Sequence, residues 1–412
     1  MRCRGWRIRC ASGSRPRCAD GVPSSEPPVL ADVLEEHLAE LDFLWELRET
    51  SIFRAGFRPL HLRRHEDRME AHLDGLLEGG VTGAALARAA LGSDAWSLVA
   101  AGAWTLLRRP TPDPGAVAQA LRGAALPAAA GARHGLRHCS VSTWEAEARE
   151  RLDGPADLER AVWADALAFH RREVPHGLVA AFGASGAAAL RAIHWAVRLR
   201  VGPAPDRREL VASHADPAPE VRIAALCAGA RWGQPEVLEL LRASARQPDR
   251  ARAVELRWLG ALGATSDRPA LEAALASPEL APAALQGLGA LGDPQALPKL
   301  LEMLEVPDLS AAAAEAFEAI VGEALGRARV QDVDATMFDA DEARALWRKR
   351  GGDFDPRRRW RRGRDVDALS LGEVLAELDL EGGRDACLRR CLELGTDAPD
   401  VELECFARDR RA

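Results

Sequence analysis

From Val29 onward the chain sets apolar stripes against polar faces at helical spacing. In "VLEEHLAELDFLWELRET" the residues Leu34, Leu38, Leu41, Leu44, Trp45 and Leu47 recur every three or four positions, which lays them on one side of a 3.6-residue helix. "FRPLHLRRHEDRMEAHLDGLLEGG" repeats the pattern with Leu62, Met69, Leu73 and Leu76, and Gly79-Gly80 marks its stop. Short Ala-rich stretches predict further helices to about Phe182, interrupted by Pro110, Pro112, Pro114, Pro127, Pro155 and Pro175. Trp96, Trp104, Trp144 and Trp163 stand among small residues, where large rings are expected to fill gaps between helices.

Past Phe182 the pattern acquires a period. Gly202, Gly233, Gly263, Gly292 and Gly322 each close an apolar segment, at intervals of 29 to 31 residues. The segments are "RAIHWAVRLRVG", "RIAALCAGARWG", "RAVELRWLGALG", "APAALQGLGALG" and "AAAAEAFEAIVG". After the middle three comes a break and a second helix: "QPEVLELLRASA", "ATSDRPALEAALAS" and "DPQALPKLLEMLEV". Gly suits a left-handed C-cap, Asp caps the next N-terminus, and Pro fits its first turn. A two-helix unit cannot bury its apolar face alone, so the period predicts an α-solenoid in which neighbours stack.

"HADPAPEVRIAALCAGARWGQPEVLELL" and "LGALGDPQALPKLLEML" resemble HEAT repeats of the short bacterial type. Asp216 and Arg222 match that motif's Asp and Arg, which implies a hydrogen-bonding ladder between stacked units. Later units depart from it: Arg252 has only Asp249 nearby, and Ala281 and Ala311 stand in place of the Arg. A wider resemblance covers nearly everything after residue 28. "HLAELDFLWELR", "HEDRMEAHLDGLLEGG" and "ALWRKRGGDFDPRRRWRRGR…GGRDACLRRCLELG" resemble a proteobacterial HEAT-repeat family of unassigned function. Members of that family are often encoded near type VI secretion genes, which implies an accessory role and a secretion-apparatus partner by association.

Composition narrows the function classes. The net charge is −7, yet residues 1–28 hold six arginines against Asp20 and Glu26, so the remainder carries −11. A body that acidic repels phosphate backbones at long range and argues against nucleic acid. Only Lys299 and Lys349 are lysines and Tyr is absent, a skew of the kind GC-rich bacterial genes impose, so abundant arginine says little about ligands. No apolar run is long enough to span a membrane. Cys3, Cys10, Cys18, Cys139, Cys227, Cys387 and Cys391 lack metal-site or framework spacing, so free thiols in a reducing cytoplasm are expected. The tail 1–28 lacks a signal-peptide core and is expected to be disordered or non-native, Val22 and Val29 being possible GTG starts.

Candidate chemistry is sparse. His61, His65 and His72 share a helical face and have the residue type for zinc, but "HxxxHE" is no zincin order; packing, metal and catalysis all stay open. "RKRGGDFDPRRRWRRGR" could be an ion-paired linker, with Asp353, Asp355, Asp365 and Asp367 as partners, a protein-docking surface, or a nucleic-acid grip. Ser185 in "FGASGAAAL" lacks the nucleophile-elbow spacing and is expected to cap a helix. In HEAT repeats the second helix of each unit lines the binding groove, which nominates Arg198, Arg200, Arg222, Arg231, Arg257 and Gln286 as protein-binding positions.

The reading is therefore all-α: a tail (1–28), an N-terminal helical region (29–182), a HEAT-like solenoid (183–325) and a C-terminal helical region (326–412). Its function is expected to be a non-enzymatic cytoplasmic scaffold or adaptor, without cofactor, whose groove holds an acidic segment of a protein partner. The alternatives are a HEAT-like nucleic-acid binder and a metal-dependent enzyme.

Overall fold

The structure, a computed structural model, describes residues 31–52, 56–155, 157–246, 252–326 and 337–394; the expected tail over 1–28 lies outside them. Among the described residues the protein is all-α, with 21 α-helices and one two-stranded antiparallel ribbon. The two N-terminal stripes form α1 (Ala31–Ile52) and α2 (Pro59–Glu78), and Gly80 at φ +55° turns the chain directly into α3 (Gly80–Ala90). The Ala-rich stretches supply α4 (Trp96–Arg108), α5 (Pro114–Leu121), α6 (Leu126–Arg137), α7 (Glu145–Arg151), α8 (Leu158–Phe169) and α9 (His176–Gly183). Pro114 and Pro127 occupy first turns, where a missing N–H costs no hydrogen bond.

The five glycine-closed segments become α10 (Ala188–Val201), α12 (Pro219–Arg231), α14 (Ala253–Leu262), α16 (Ala281–Leu291) and α18 (Ser310–Val321). Between them lie α11 (Arg207–His214), α13 (Glu236–Ala245), α15 (Arg268–Ala274) and α17 (Leu297–Met303). Alternate helices are neighbours: α4 packs on α6, α6 on α8, α8 on α10 and α10 on α12, then α14 on α16 and α16 on α18. Helices α11, α13, α15 and α17 pack on α12, α14, α16 and α18. The C-terminal region holds α19 (Ala340–Arg350), the ribbon β1 (Trp360–Arg361) and β2 (Arg364–Asp365), α20 (Leu371–Glu377) and α21 (Leu380–Leu394). The ribbon is a departure from the helical expectation for this region.

Two apolar cores run along the chain. The first gathers Leu41, Trp45, Trp104, Trp144 and Trp163, with Trp45 and Trp104 edge-to-face at 5.6 Å. The second begins with Trp195 and continues through Leu259, Leu288 and Phe317. Helix α10 serves both, giving Leu190, Ile193 and Val197 to the first and Trp195 to the second. The two regions expected on either side of residue 182 are thus continuous through one helix.

An arginine–aspartate pair recurs at a separation of 25 residues: Arg88 with Asp113, Arg191 with Asp216, Arg242 with Asp267 and Arg268 with Asp293. Each aspartate also accepts a backbone N–H at a turn, from Ala116, Ala218, Ala264 and Gln295 respectively. One carboxylate therefore organises its own turn and receives a guanidinium from a preceding helix. Asp216 and Arg222 both join helices of successive units, as the ladder implied by the HEAT resemblance requires. The carboxylate of Asp216 accepts from Arg191, while Arg222 donates to the backbone oxygens of Asp216 and Pro217 and to Glu255. Asp267 and Asp293 make pairs of the same spacing in the later units, at the turns that open α15 and α17. Ser185 also differs slightly: its Oγ accepts from Ala187 N in the turn before α10, two residues ahead of the helix N-cap.

The glycine stops are of two kinds. Gly233, Gly292 and Gly322 are left-handed, at φ +68°, +71° and +89°, whereas Gly202 and Gly263 leave their helices in extended conformation. At Gly292 a Cβ would also collide with the carbonyl oxygen of Trp360, because the ribbon backbone crosses there. Gly123, at φ +70°, has nothing within 4 Å of the same position. Gly123→Ala should therefore cost about 1 kcal/mol for the left-handed backbone alone. Gly292→Ala should cost at least about 2 kcal/mol, since the ribbon must also give way. Equal losses in urea denaturation would show that the ribbon does not rest on this helix end.

Candidate functional site

Helices end with carbonyls that have no partner within the helix and with the negative pole of the macrodipole. Here the basic run meets three such ends in succession. Arg359 donates its guanidinium to Gly263 O after α14, Trp360 N donates to Gly292 O after α16 at 2.8 Å, and Arg362 N and Gly363 N donate to Ala319 O and Ile320 O of α18 at 2.6 and 2.9 Å. The ribbon turn, Arg362-Gly363, has φ +51° and +72° at its two central residues, the primed geometry that suits a two-residue hairpin. Burial, then repulsion from Arg389, pushes Arg359 down to about 10, which still leaves it charged at neutral pH. The flanking acids take part as expected of an ion-paired linker: Asp355 pairs with Arg357, and Asp367 accepts from Arg359 N.

Asp379 joins this ribbon to the rest. Its carboxylate, 1% exposed, accepts from Arg361 Nε and a terminal guanidinium nitrogen at 3.0 and 2.8 Å, from Gly382 N at the start of α21, and from Gly56 N ahead of α2. Burial alone would raise it, but Arg361 overcomes burial and holds Asp379 down at about 2. Leu380 N donates to Phe57 O beside it, and Ile52, Leu62 and Leu380 form a small apolar cluster. Three parts of the chain meet at one carboxylate. The network continues through Glu381, which accepts from both Arg361 and Arg257, to Asp385, which accepts from Arg257 at 2.7 Å.

Helix α21 thereby lies against α12 and α14, with Leu388 and Leu392 packed on the second core. A cavity of about 470 Å³ remains beside it, lined by Arg257, Gln286, Glu315, Glu318, Arg361 and Arg362 among others. Of the six positions nominated from the sequence, the structure brings Arg257 and Gln286 together there. Arg198 is buried and donates to Glu209 and Pro203 O, and Arg200 is buried 3.6 Å from Asp165. Arg222 makes a buried pair with Glu255 at 2.6 Å, bridging α12 and α14. Arg231 lies 4.0 Å from the sulfur of Cys391 on α21 and over the ring of Trp232. These arginines serve the interior of the protein, because each found a carboxylate, carbonyl or sulfur within the chain. Reading polar residues off one helix could not reveal partners from 11 to 160 residues away. Asp379 and Arg361 were missed for the same reason, although Gly363 inside the arginine run is a turn signal.

The three histidines separate. His65 is buried and donates to Leu44 O at 2.7 Å, His72 shares a hydrogen bond with His37 at 3.0 Å, and His61 is exposed beside Phe57. Among the described residues no three His, Cys, Asp or Glu side chains converge as metal ligands, and no helix is long and apolar enough to cross a membrane. No family model and no curated protein matches the chain.

Burial is the first cause that lowers seven histidines, His65, His72, His134, His138, His170, His194 and His214, below 6.5. A group depressed in the folded state stabilises fully above its unfolded value and loses that stability as the pH falls toward the folded one. Stability should thus be flat above about pH 7 and decline below about 6.5, well before Asp379 protonates between about 4 and 2. A melting temperature that rises on going from pH 7 to 5.5 would contradict this. Asp379→Asn should cost roughly 3 kcal/mol or more in denaturant, since it strands a buried guanidinium; a loss under about 1 kcal/mol would show that Arg361 is held by Glu381 alone.

Proposed function

We propose that this protein is a non-enzymatic binding scaffold, a HEAT-like solenoid that receives an amphipathic helix of a protein partner along one face of its row of alternate helices. The observation that carries this reading is the seat of α21. It is itself an amphipathic helix held on α12 and α14 by leucines on one side and by Glu381 and Asp385 on the arginine Arg257. The acidic segment expected in the groove is thus supplied, over this half, by the chain itself. Further along the same row, α6, α8, α10 and α12 border an open apolar groove of about 290 Å³, walled by Ala129, Val162, Ala192, Ile193, Ala196 and Ala224. Leu126 stands at its rim, 57% exposed. Small side chains on the floor let a helix approach closely, and a groove of this kind reads a stripe of apolar residues three and four apart. The net charge of −7 and the internal pairing of the arginines favour this reading over nucleic acid. An accessory role in type VI secretion is the setting that the family resemblance implies.

Ala192 and Ala196 are half-buried on α10, so Ala192→Glu with Ala196→Glu places charge in the groove without opening the core. Crosslinking in the native host should recover a partner with wild type, with crosslinks mapping to α6, α8 and α10. The double variant should lose that partner at least about tenfold while keeping its circular dichroism, since one buried unpaired charge is worth several kcal/mol. Equal recovery from both proteins would sink the reading. Arg257→Ser is not a substitute, because it leaves Glu381 and Asp385 without their cation and reports stability instead.

A further inference from the structure

We propose that a second cavity, of about 360 Å³ at the junction of α2, the ribbon and α20, binds a small phosphate-bearing anion through Arg58, Arg362 and Arg364. Its lining holds three arginines and two carboxylates, and both carboxylates are already engaged. Asp379 is taken by Arg361 and two backbone N–H groups, and Glu377 by Arg364 at 2.6 Å. Arg58 is exposed and forms no ion pair with any described residue. Arg362 is held at long range: one terminal nitrogen donates to Glu318 O at 3.4 Å, the carboxylates of Asp379 and Glu318 stand 3.6 and 3.8 Å away, and its Nε is buried without a hydrogen-bond partner. The cavity lining thus sets three guanidinium groups against two carboxylates in a protein of net charge −7.

Two backbone features act in the same direction. Arg362 occupies a left-handed position, at φ +51°, that Gly or Asn would fill without strain. Strain retained in a charged residue facing a cavity points to a task for the charge. Helix α2, 20 residues long, starts at this cavity with Arg58 as its N-cap residue, with no side-chain cap and no acidic residue in its first turn. The positive pole of its dipole is thus left unopposed, the arrangement that suits a phosphate. The competing negative pole, at the end of α18, is closed off because Ala319 O and Ile320 O already accept from the ribbon. Paired guanidinium groups match the oxygens of a tetrahedral dianion better than a single carboxylate. An anion here would tie the N-terminal helices to the C-terminal ribbon.

The test is calorimetric titration of the full chain with inorganic phosphate and, separately, with glycerol 3-phosphate, against sodium chloride of equal ionic strength. One site per chain is expected, with a dissociation constant below about 1 mM for at least one of the two, and a melting temperature that rises with it. Binding of both identifies the phosphate group as sufficient; binding of the ester alone assigns the ligand to the phosphate esters. Arg58→Gln should weaken binding at least about tenfold with stability unchanged, because its side chain is exposed and unpaired. Arg362→Asn should abolish binding while the circular dichroism stays that of wild type, because Asn tolerates the left-handed turn. No saturable heat with either probe up to about 10 mM, or wild-type affinity in both variants, overturns the proposal.

Discussion

Helices stacked side by side with their ends in line create a common problem, since each ends in carbonyls that nothing within the helix can satisfy. In this protein α14, α16 and α18 present such ends to one short ribbon. The ribbon answers with a guanidinium and three backbone N–H groups. Arg359 and Arg362 also stand at the negative poles of two of these macrodipoles, those of α14 and α18, where a cation is favoured. Asp379 then locks the ribbon to α21 and to the turn before α2. Removing this carboxylate would leave Arg361 to Glu381 and break the link to the turn before α2.

The abundance of arginine takes on a different meaning in this light. An acidic chain with few lysines uses arginine as an internal fastener. The ladder of pairs 25 residues apart ties turn aspartates to preceding helices, and Arg137, Arg200 and Arg133 surround the fully buried Asp165. Guanidinium groups suit this work because they donate two parallel hydrogen bonds and keep their charge when desolvated. Buried pairs of this kind add little net stability over apolar packing, but breaking one is costly, so they define which arrangement the helices adopt. The Ala-walled groove and the junction around Arg362, where such pairing is incomplete, are the surfaces we propose for interaction with other molecules.

Much of the fold was legible in the sequence. Apolar residues at helical spacing located α1 and α2, and the glycine period located α10, α12, α14, α16 and α18 together with α13, α15 and α17. These are local properties: a stripe three and four residues apart, a Pro in a first turn and a Gly at a stop are dictated by backbone geometry within one or two turns. The all-α class was likewise written into the order of residues, and an ion-paired linker was one of three readings open for the Arg357–Arg364 run.

What the sequence by itself could not determine is which charge meets which. Arg222 and Asp216 stand six apart, yet the carboxylate of Asp216 takes Arg191 and Arg222 takes Glu255. Gly263 and Gly292 are alike on paper, but only Gly292 turns left-handed, in a place where the ribbon backbone crosses it. The candidate arginines looked like a surface row because helical spacing shows only which side of a helix a residue occupies. Whether that side faces solvent or a helix from the far end of the chain depends on contacts over more than a hundred residues, such as Arg257 with Asp385. Local spacing determined the helices; only tertiary packing decided what covers them, because it alone sets which unsatisfied carbonyls and buried charges must find each other.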